Sequence, residues 1–124
     1  MGRLLLKPGV EMGTNLHPAG ARLLDAIKQV AREADFDVTI TSARDGVHSG
    51  PKDPHHEGAA FDLRTRTLQQ AQKHALVQRL RDRLYKEPRR FYVFLEDAGG
   101  PNEHVHAQKR AGTTYSIYDY LADA

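Results

Sequence analysis

Two short clusters of histidine and acidic residues carry the side chains that are best suited to chemistry. His55 and Asp62 form the first cluster, and Glu103, His104 and His106 form the second. Imidazole nitrogens and carboxylate oxygens both bind zinc, and a catalytic zinc ion has three protein ligands and one open position. The chain has seven histidines and no cysteine, so any metal site must be built from nitrogen and oxygen. The two clusters indicate a metal centre of this kind.

Such a centre would take one ligand from each of three places in the chain. His55 lies at the edge of a polar loop, Asp62 lies in a short strand after it, and either His104 or His106 supplies the third ligand. The other four histidines are expected to be solvent-exposed or structural: His17, His48, His56 and His74.

A hydrolytic metal centre also needs a general base, usually a carboxylate that does not bind the metal. Two residues meet this need in the sequence. Glu103 precedes His106 by three residues, and Glu96 ends the predicted strand before it. Both remain candidates for the base.

The spacing of the histidines predicts the element that positions them. On a strand, His104 and His106 point to the same face and Val105 points to the core, whereas on a helix the two imidazoles would diverge by about 200°. Asp62 likewise shares a strand face with Ala60. We therefore expect two strands that carry the ligands on one face.

The remaining elements follow from hydrophobic periodicity and turn residues. Helical spacing begins near Pro18, which suits a first turn, and a second helix is expected from Thr67 to Pro88. Further strands are predicted at residues 36–40, 59–63, 91–95 and 103–108, with a polar loop at 42–58, a turn at 97–102 and a final helix at 114–121. The continuous run of aromatic and other apolar residues at 91–95 predicts a buried strand. This order predicts a single α+β domain over residues 1–124, with a mostly antiparallel central sheet flanked by helices.

Composition excludes several classes of function. The formal charge of +2 is too small to indicate nucleic-acid or membrane binding. The three leucines near the N-terminus are too few for a signal peptide, and no apolar run is long enough for a transmembrane segment. The sequence leaves the location of the protein open, and we expect a monomer.

The first cluster resembles a known motif. The segment Asp53-Pro54-His55-His56-Glu57-Gly58-Ala59-Ala60-Phe61-Asp62-Leu63 is similar to the H-x-x-G-x-A-x-D signature of the zinc D,D-carboxypeptidases. That family includes D-alanyl-D-alanine dipeptidases and the L-alanyl-D-glutamate endopeptidases of phage endolysins, and the Hedgehog signalling domain shares its fold. Upstream, Thr41-Ser42-Ala43-Arg44 resembles the family's S-G-Y-R, and downstream Glu103-His104-Val105-His106 resembles its E-x-x-H and H-x-H signature.

The resemblance implies a Hedgehog/D,D-peptidase-like fold and a role for each matching residue. The implied Zn²⁺ ligands are His55, Asp62 and His106. Glu103 would be the base that takes a proton from water and delivers it to the leaving amine, and His104 would support the ligands or the transition state. The implied substrates are peptidoglycan stem peptides, cut by a carboxypeptidase or an endopeptidase.

The resemblance also implies that Arg44 stabilises the developing oxyanion or binds the substrate carbonyl. Only this arginine is identical between Thr41-Ser42-Ala43-Arg44 and the family's motif, and Asp53 stands where the family has serine. Relatives that place the base at the end of the preceding strand keep Glu96 as an alternative to Glu103.

Two other functions are considered. A non-catalytic zinc or calcium module of the same fold would use the acidic residues Asp45, Asp53 and Glu57 of the polar loop. Nucleic-acid binding would use the basic run from Arg79 to Arg90, but Asp82 and Glu87 interrupt this run, which is typical of a solvated helix face.

Overall fold

A five-stranded sheet organises the part of the chain that the computed structural model describes, residues 1–12, 16–43, 59–87 and 90–110. The strands are β1 (Leu4–Leu6), β2 (Val38–Ser42), β3 (Ala60–Arg64), β4 (Phe91–Glu96) and β5 (His104–Lys109). The helices are α1 (Pro18–Glu33) and α2 (Gln70–Arg83). The α+β class predicted from the sequence is confirmed.

The strands lie in the order β1-β2-β3-β5-β4. β1 pairs with β2 in parallel, and the pairings of β2 with β3, β3 with β5 and β4 with β5 are antiparallel. Across the described residues the sheet is therefore mixed, with one parallel pairing at its edge. The sequence did not predict β1, because three leucines alone show no alternation that distinguishes a strand.

Helix α1 begins where the sequence predicts. Pro18 occupies the first turn, and His17 caps the helix because its Nδ1 accepts a hydrogen bond from the Ala19 N–H at 3.0 Å. The structural role expected for His17 is thereby confirmed. Leu23, Ile27 and the neighbouring apolar side chains of α1 are buried against the sheet.

Helix α2 begins three residues later than the predicted start at Thr67. The Leu68 N–H donates to the Thr65 carbonyl at 2.8 Å, so Thr67 lies in a turn. Gln69 is the N-cap instead, and its backbone N–H donates to the Gln72 side chain at 2.9 Å in a capping box. The predicted start at Thr67 was wrong because Gln69 and Gln72 form the cap of the helix. Helix α2 ends at Arg83, before the predicted stop at Pro88, which lies outside the described residues.

The strands separate a buried face from an open one. Phe61, Leu63, Val93 and Val105 join the apolar side chains of both helices in one core. The alternate residues of the same strands point away from this core, and they form a surface that we call the open face. Its members on β3, β5 and β4 are Ala60, Asp62, Arg64, His104, His106, Gln108, Tyr92, Phe94 and Glu96.

Strand β4 is less buried than predicted. Its aromatic, continuous apolar sequence indicated burial on both faces, but Tyr92 and Phe94 are 41% and 36% exposed. The physical reason is that Tyr92 and Phe94 lie on the open face, whereas Phe91 and Val93 point into the core. Strand β4 therefore contributes two aromatic side chains to the open face.

Several predictions fall outside the described residues, among them the final helix at 114–121 and most of the polar loop at 42–58. The turn expected at 97–102 is present, with Asp97 and Gly99 at φ values of 52° and 77°. Neither described helix is long and apolar enough to cross a membrane.

Candidate metal centre

The register of the sheet places the reactive side chains in three cross-strand rows. Residues opposite each other on paired strands have neighbouring side chains. Across β3, β5 and β4 the rows are Ala60–Gln108–Tyr92, Asp62–His106–Phe94 and Arg64–His104–Glu96. The two histidines share the open face, as the spacing predicts, and Asp62 lies beside them.

Asp62, His104 and His106 form one compact group. One nitrogen or oxygen from each lies within 4.8 Å of those of the other two. His106 Nδ1 is 2.7 Å from Asp62 Oδ1, and His104 Nε2 is 3.5 Å from the same oxygen. Bonds of about 2 Å put two donors of one ion about 3–4 Å apart. The 3.5 Å separation lies in this range, whereas the 2.7 Å separation is that of a hydrogen bond. The donor chemistry and the closeness of the three side chains make this group a candidate metal site.

Gln108 contacts the ring nitrogen of His106 that does not face Asp62. Gln108 Oε1 lies 2.7 Å from His106 Nε2, and the Gln108 amide nitrogen donates to the Lys109 carbonyl at 3.0 Å. Because that donation fixes which end of the amide faces His106, the Gln108 oxygen accepts a hydrogen bond from the His106 Nε2–H. Nδ1 is then the nitrogen directed at Asp62. Metal-binding histidines are typically oriented by such an acceptor.

His104 is also oriented by a hydrogen-bond acceptor, but its two ring nitrogens have the opposite roles to those of His106. Its Nδ1 lies 2.6 Å from the carbonyl oxygen of Asn102 and donates to it, since a carbonyl only accepts. Nε2 is directed inward, 2.9 Å from Glu96 Oε2. The inner nitrogens of both imidazoles thus point towards the same carboxylates.

The electrostatics of the group favour positive charge. Burial lowers the pKa of His106, but hydrogen bonds with Asp62 and Gln108, together with the charges of Asp62 and Glu96, raise it by more. The net pKa of His106 therefore lies above its ordinary value. A cation bound between these side chains would meet the same carboxylate charge.

Glu103, the base implied by the resemblance, forms its ion pair and hydrogen bonds with residues other than Asp62, His104 and His106. Its carboxylate is 2.6 Å from Lys73 Nζ, and it accepts hydrogen bonds from the Gly99 N–H at 2.8 Å and the Thr65 hydroxyl at 2.7 Å. The Lys73 contact is the largest cause that lowers the pKa of Glu103 to about 2, followed by the Gly99 and Thr65 contacts. These contacts join α2 to the turn between β4 and β5.

Glu96, the other candidate base, is in contact with both imidazoles. Its Oε2 is 2.9 Å from His104 Nε2 and 3.8 Å from His106 Nδ1. Its side chain is 48% exposed, so it reaches the site and solvent together. Of the two carboxylates, Glu96 is the one in contact with the described imidazoles.

The predicted residues His55 and Arg44 lie outside the described residues, as do His48 and His56. Exposed His74 lies on α2 and contacts Gln70 at 3.3 Å, in agreement with the expectation for it. The described part of the chain thus brings together Asp62, His104 and His106 of the predicted site residues.

Two residues of the site were missed by the sequence reasoning. Gln108 follows His106 by two residues, and Arg64 follows Asp62 by two residues. The alternation that places His104 and His106 on one face applies to both, so the signal was present in the predicted strands. The sequence did not reveal the pairing of β3 with β5, which makes Arg64 a neighbour of His104, whereas Gln108 is a neighbour of His106 on the same strand.

Comparisons of the chain with protein-family models, curated proteins and solved structures found no match.

Proposed function

We propose that the protein is a zinc-dependent metallopeptidase with a D,D-peptidase-like fold, and that it hydrolyses peptide bonds of peptidoglycan stem peptides. The observation that carries this proposal is the convergence of His104 Nε2 and His106 Nδ1 on Asp62. Each imidazole is held through its other nitrogen by an acceptor. Two imidazoles oriented in this way are characteristic of a metal centre.

Zinc is the proposed ion because one carboxylate and two imidazoles form an established donor set for it. Asp62 and His106 belong both to the ligand set that the resemblance implies and to the described group. The third ligand is His104 in that group and His55 in the resemblance. When bound, zinc would supply a Lewis acid that polarises the scissile carbonyl and lowers the pKa of a water molecule.

The chain's own groups would then perform the proton transfers. The Glu96 carboxylate accepts a proton from water and passes it to the nitrogen of the leaving amine. Its contact with His104 at 2.9 Å holds it against the site. The resemblance adds Arg44 as the group that stabilises the negative charge developing on the carbonyl oxygen.

A second candidate function is a non-catalytic metal-binding module of the same fold. The observation in its favour is the set of contacts that Glu103 makes with Lys73, Thr65 and Gly99. A base so strongly stabilised as a carboxylate is a poor proton acceptor near neutral pH. This candidate requires that Glu96 also has no catalytic role.

Digestion of purified muropeptides, followed by mass spectrometry of the products, separates the two functions. The zinc-loaded wild-type protein is expected to cleave one stem-peptide bond, and Asp62→Asn is expected to abolish cleavage together with zinc binding. Substitution of the exposed His74 by Ala serves as the matched control and should leave cleavage unchanged. Stoichiometric zinc binding without cleavage of any muropeptide would favour the non-catalytic module.

A further inference from the structure

The turn between β4 and β5 carries the carbonyl group that orients His104. Asn102 is the last residue of this turn, and its carbonyl oxygen lies 2.6 Å from His104 Nδ1. Because a carbonyl only accepts, Nδ1 carries a proton. Nε2, which faces Asp62 and Glu96, is then the nitrogen that can bind a metal ion. The binding nitrogen of His104 is therefore selected by the position of one backbone carbonyl.

Glu103 attaches the backbone beside that carbonyl to the rest of the protein. Its side chain extends towards α2, where its carboxylate contacts Lys73 Nζ at 2.6 Å. It also accepts a hydrogen bond from the hydroxyl of Thr65, which directly follows β3, at 2.7 Å. Thr65 is buried, and the side chains of Lys73 and Glu103 are only 16% and 11% exposed. A charged pair that is so little exposed to water can hold a backbone segment in one place.

Two further hydrogen bonds fix the shape of the turn. The second carboxylate oxygen of Glu103 accepts a hydrogen bond from the Gly99 N–H at 2.8 Å. The Asp97 carboxylate accepts one from the Asn102 N–H at 2.9 Å. The residue whose carbonyl orients His104 is therefore held by Asp97 at its N–H and by Glu103 next to its carbonyl.

The contacts form a continuous connection from α2 to the candidate metal centre. Lys73 contacts Glu103, the backbone of Glu103 continues into the preceding carbonyl, and that carbonyl contacts His104. His106 is oriented differently, by the side chain of a residue on its own strand. A change at Lys73 should therefore affect the orientation of His104 and leave that of His106 unaffected.

We propose that Glu103 is a positioning residue, which keeps the preceding carbonyl in contact with His104 Nδ1 and so leaves Nε2 for the metal ion. Its contacts with Lys73 and Thr65 are what hold it in place. This role differs from the proton transfer that the resemblance implies, because Glu103 acts through the backbone on a ligand and not on the substrate. The metal ion in this statement rests on the proposed function, whereas the contact with His104 is present without it.

The test follows the Nδ1 proton of His104 in metal-free protein labelled with ¹⁵N-histidine. NMR measures how fast this proton and the Nε2 proton of His106 exchange with water. Lys73→Met should accelerate exchange at His104 about tenfold, because the carbonyl is no longer held in place. Exchange at His106 should not change. Lys73→Arg retains the cation and should restore the slow exchange.

The same variants are tested for zinc binding by chelator competition. Lys73→Met should raise the zinc dissociation constant about tenfold, and Lys73→Arg should keep it close to that of the wild type. Thr65→Val and Thr65→Ser form a second pair, in which the hydroxyl is lost and retained. Lys28→Met is the matched control, because Lys28 is exposed on α1, and it should change neither measurement.

Three results would overturn the proposal. They are an undetectable Nδ1 proton at His104 in the wild type, unchanged exchange at His104 in both Lys73→Met and Thr65→Val, and an equal acceleration at His106. Accelerated exchange at His104 in a protein that binds no zinc would retain the positioning role and reject the metal centre. Zinc binding and muropeptide cleavage with unchanged exchange would do the reverse.

Discussion

Gln108 fixes the orientation of His106, with 2.7 Å between Gln108 Oε1 and His106 Nε2. The amide itself is fixed by its donation to the Lys109 carbonyl. The two residues lie two positions apart on β5, so the same strand that carries the imidazole also carries the group that orients it. His106 therefore directs Nδ1 at Asp62, which is the orientation needed to share an ion with that carboxylate.

Removal of this acceptor is expected to weaken metal binding. Gln108→Met should raise the zinc dissociation constant about 10–100-fold, because the imidazole would no longer be held in one orientation. Gln108→Glu retains the acceptor and should keep most of the affinity. The measurement is a chelator competition titration, and Gln78→Met on the exposed face of α2 is the control. An unchanged dissociation constant in Gln108→Met would show that the contact does not position the ligand.

The two candidate bases give different mutational effects. Glu96→Gln is expected to lower the kcat for muropeptide cleavage about 10²–10⁴-fold, because Glu96 contacts both imidazoles. Glu103→Gln should have a smaller effect on kcat and should mainly lower the melting temperature, since Glu103 joins α2 to the β4–β5 turn. A reversal of the two effects on kcat would identify Glu103 as the base.

The Glu103 contacts also predict a pH dependence of stability. Because the pKa of Glu103 is lowered from 4.5 to about 2 by Lys73, Gly99 and Thr65, the ionised form stabilises the folded protein. This stabilisation is fully present above about pH 4.5 and is lost as the pH falls towards 2. In metal-free protein, the melting-temperature difference between wild type and Glu103→Gln should shrink over this range. A difference that stays constant from pH 6 to 2 would contradict this role.

Stability should depend on the buried neighbours of Asp62. Leu63 is fully buried in the core behind the candidate metal centre. Leu63→Ala is expected to lower the free energy of unfolding by about 2–5 kcal/mol, since it removes apolar contacts and leaves a cavity. Leu6→Ala on the edge strand β1 is the control, because Leu6 is 52% exposed. Denaturant unfolding measures both, and equal losses would argue against the assignment of the core.

The sequence predicted the parts of the site that depend on local geometry. The i, i+2 spacing of His104 and His106 is sufficient to put them on one face of a strand. The approach of Asp62 to His106 depends instead on the register between β3 and β5, which joins residues 44 positions apart. Periodicity within a single strand contains no information on that register. The motif resemblance suggested the association but not which imidazole nitrogen faces the carboxylate.

The choice between Glu96 and Glu103 likewise depends on contacts that local sequence patterns do not indicate. Spacing from His106 favoured Glu103 through the resemblance, while strand alternation separates Glu103 from His104 and His106. The contact with Lys73 comes from α2, and no local pattern indicates it. In the fold, β1 was missed for a related reason, because Leu4–Leu6 becomes a strand only through its parallel pairing with β2.

The zinc content of the protein shows whether Asp62, His104 and His106 hold a metal ion. Wild type and variants are incubated with zinc, dialysed, and measured by elemental mass spectrometry. We expect about one zinc ion per chain in wild type and in the His74→Ala control, and a large loss in Asp62→Asn and His106→Ala. Wild-type protein that retains no zinc, or folded Asp62→Asn and His106→Ala variants that retain the wild-type amount, would contradict it.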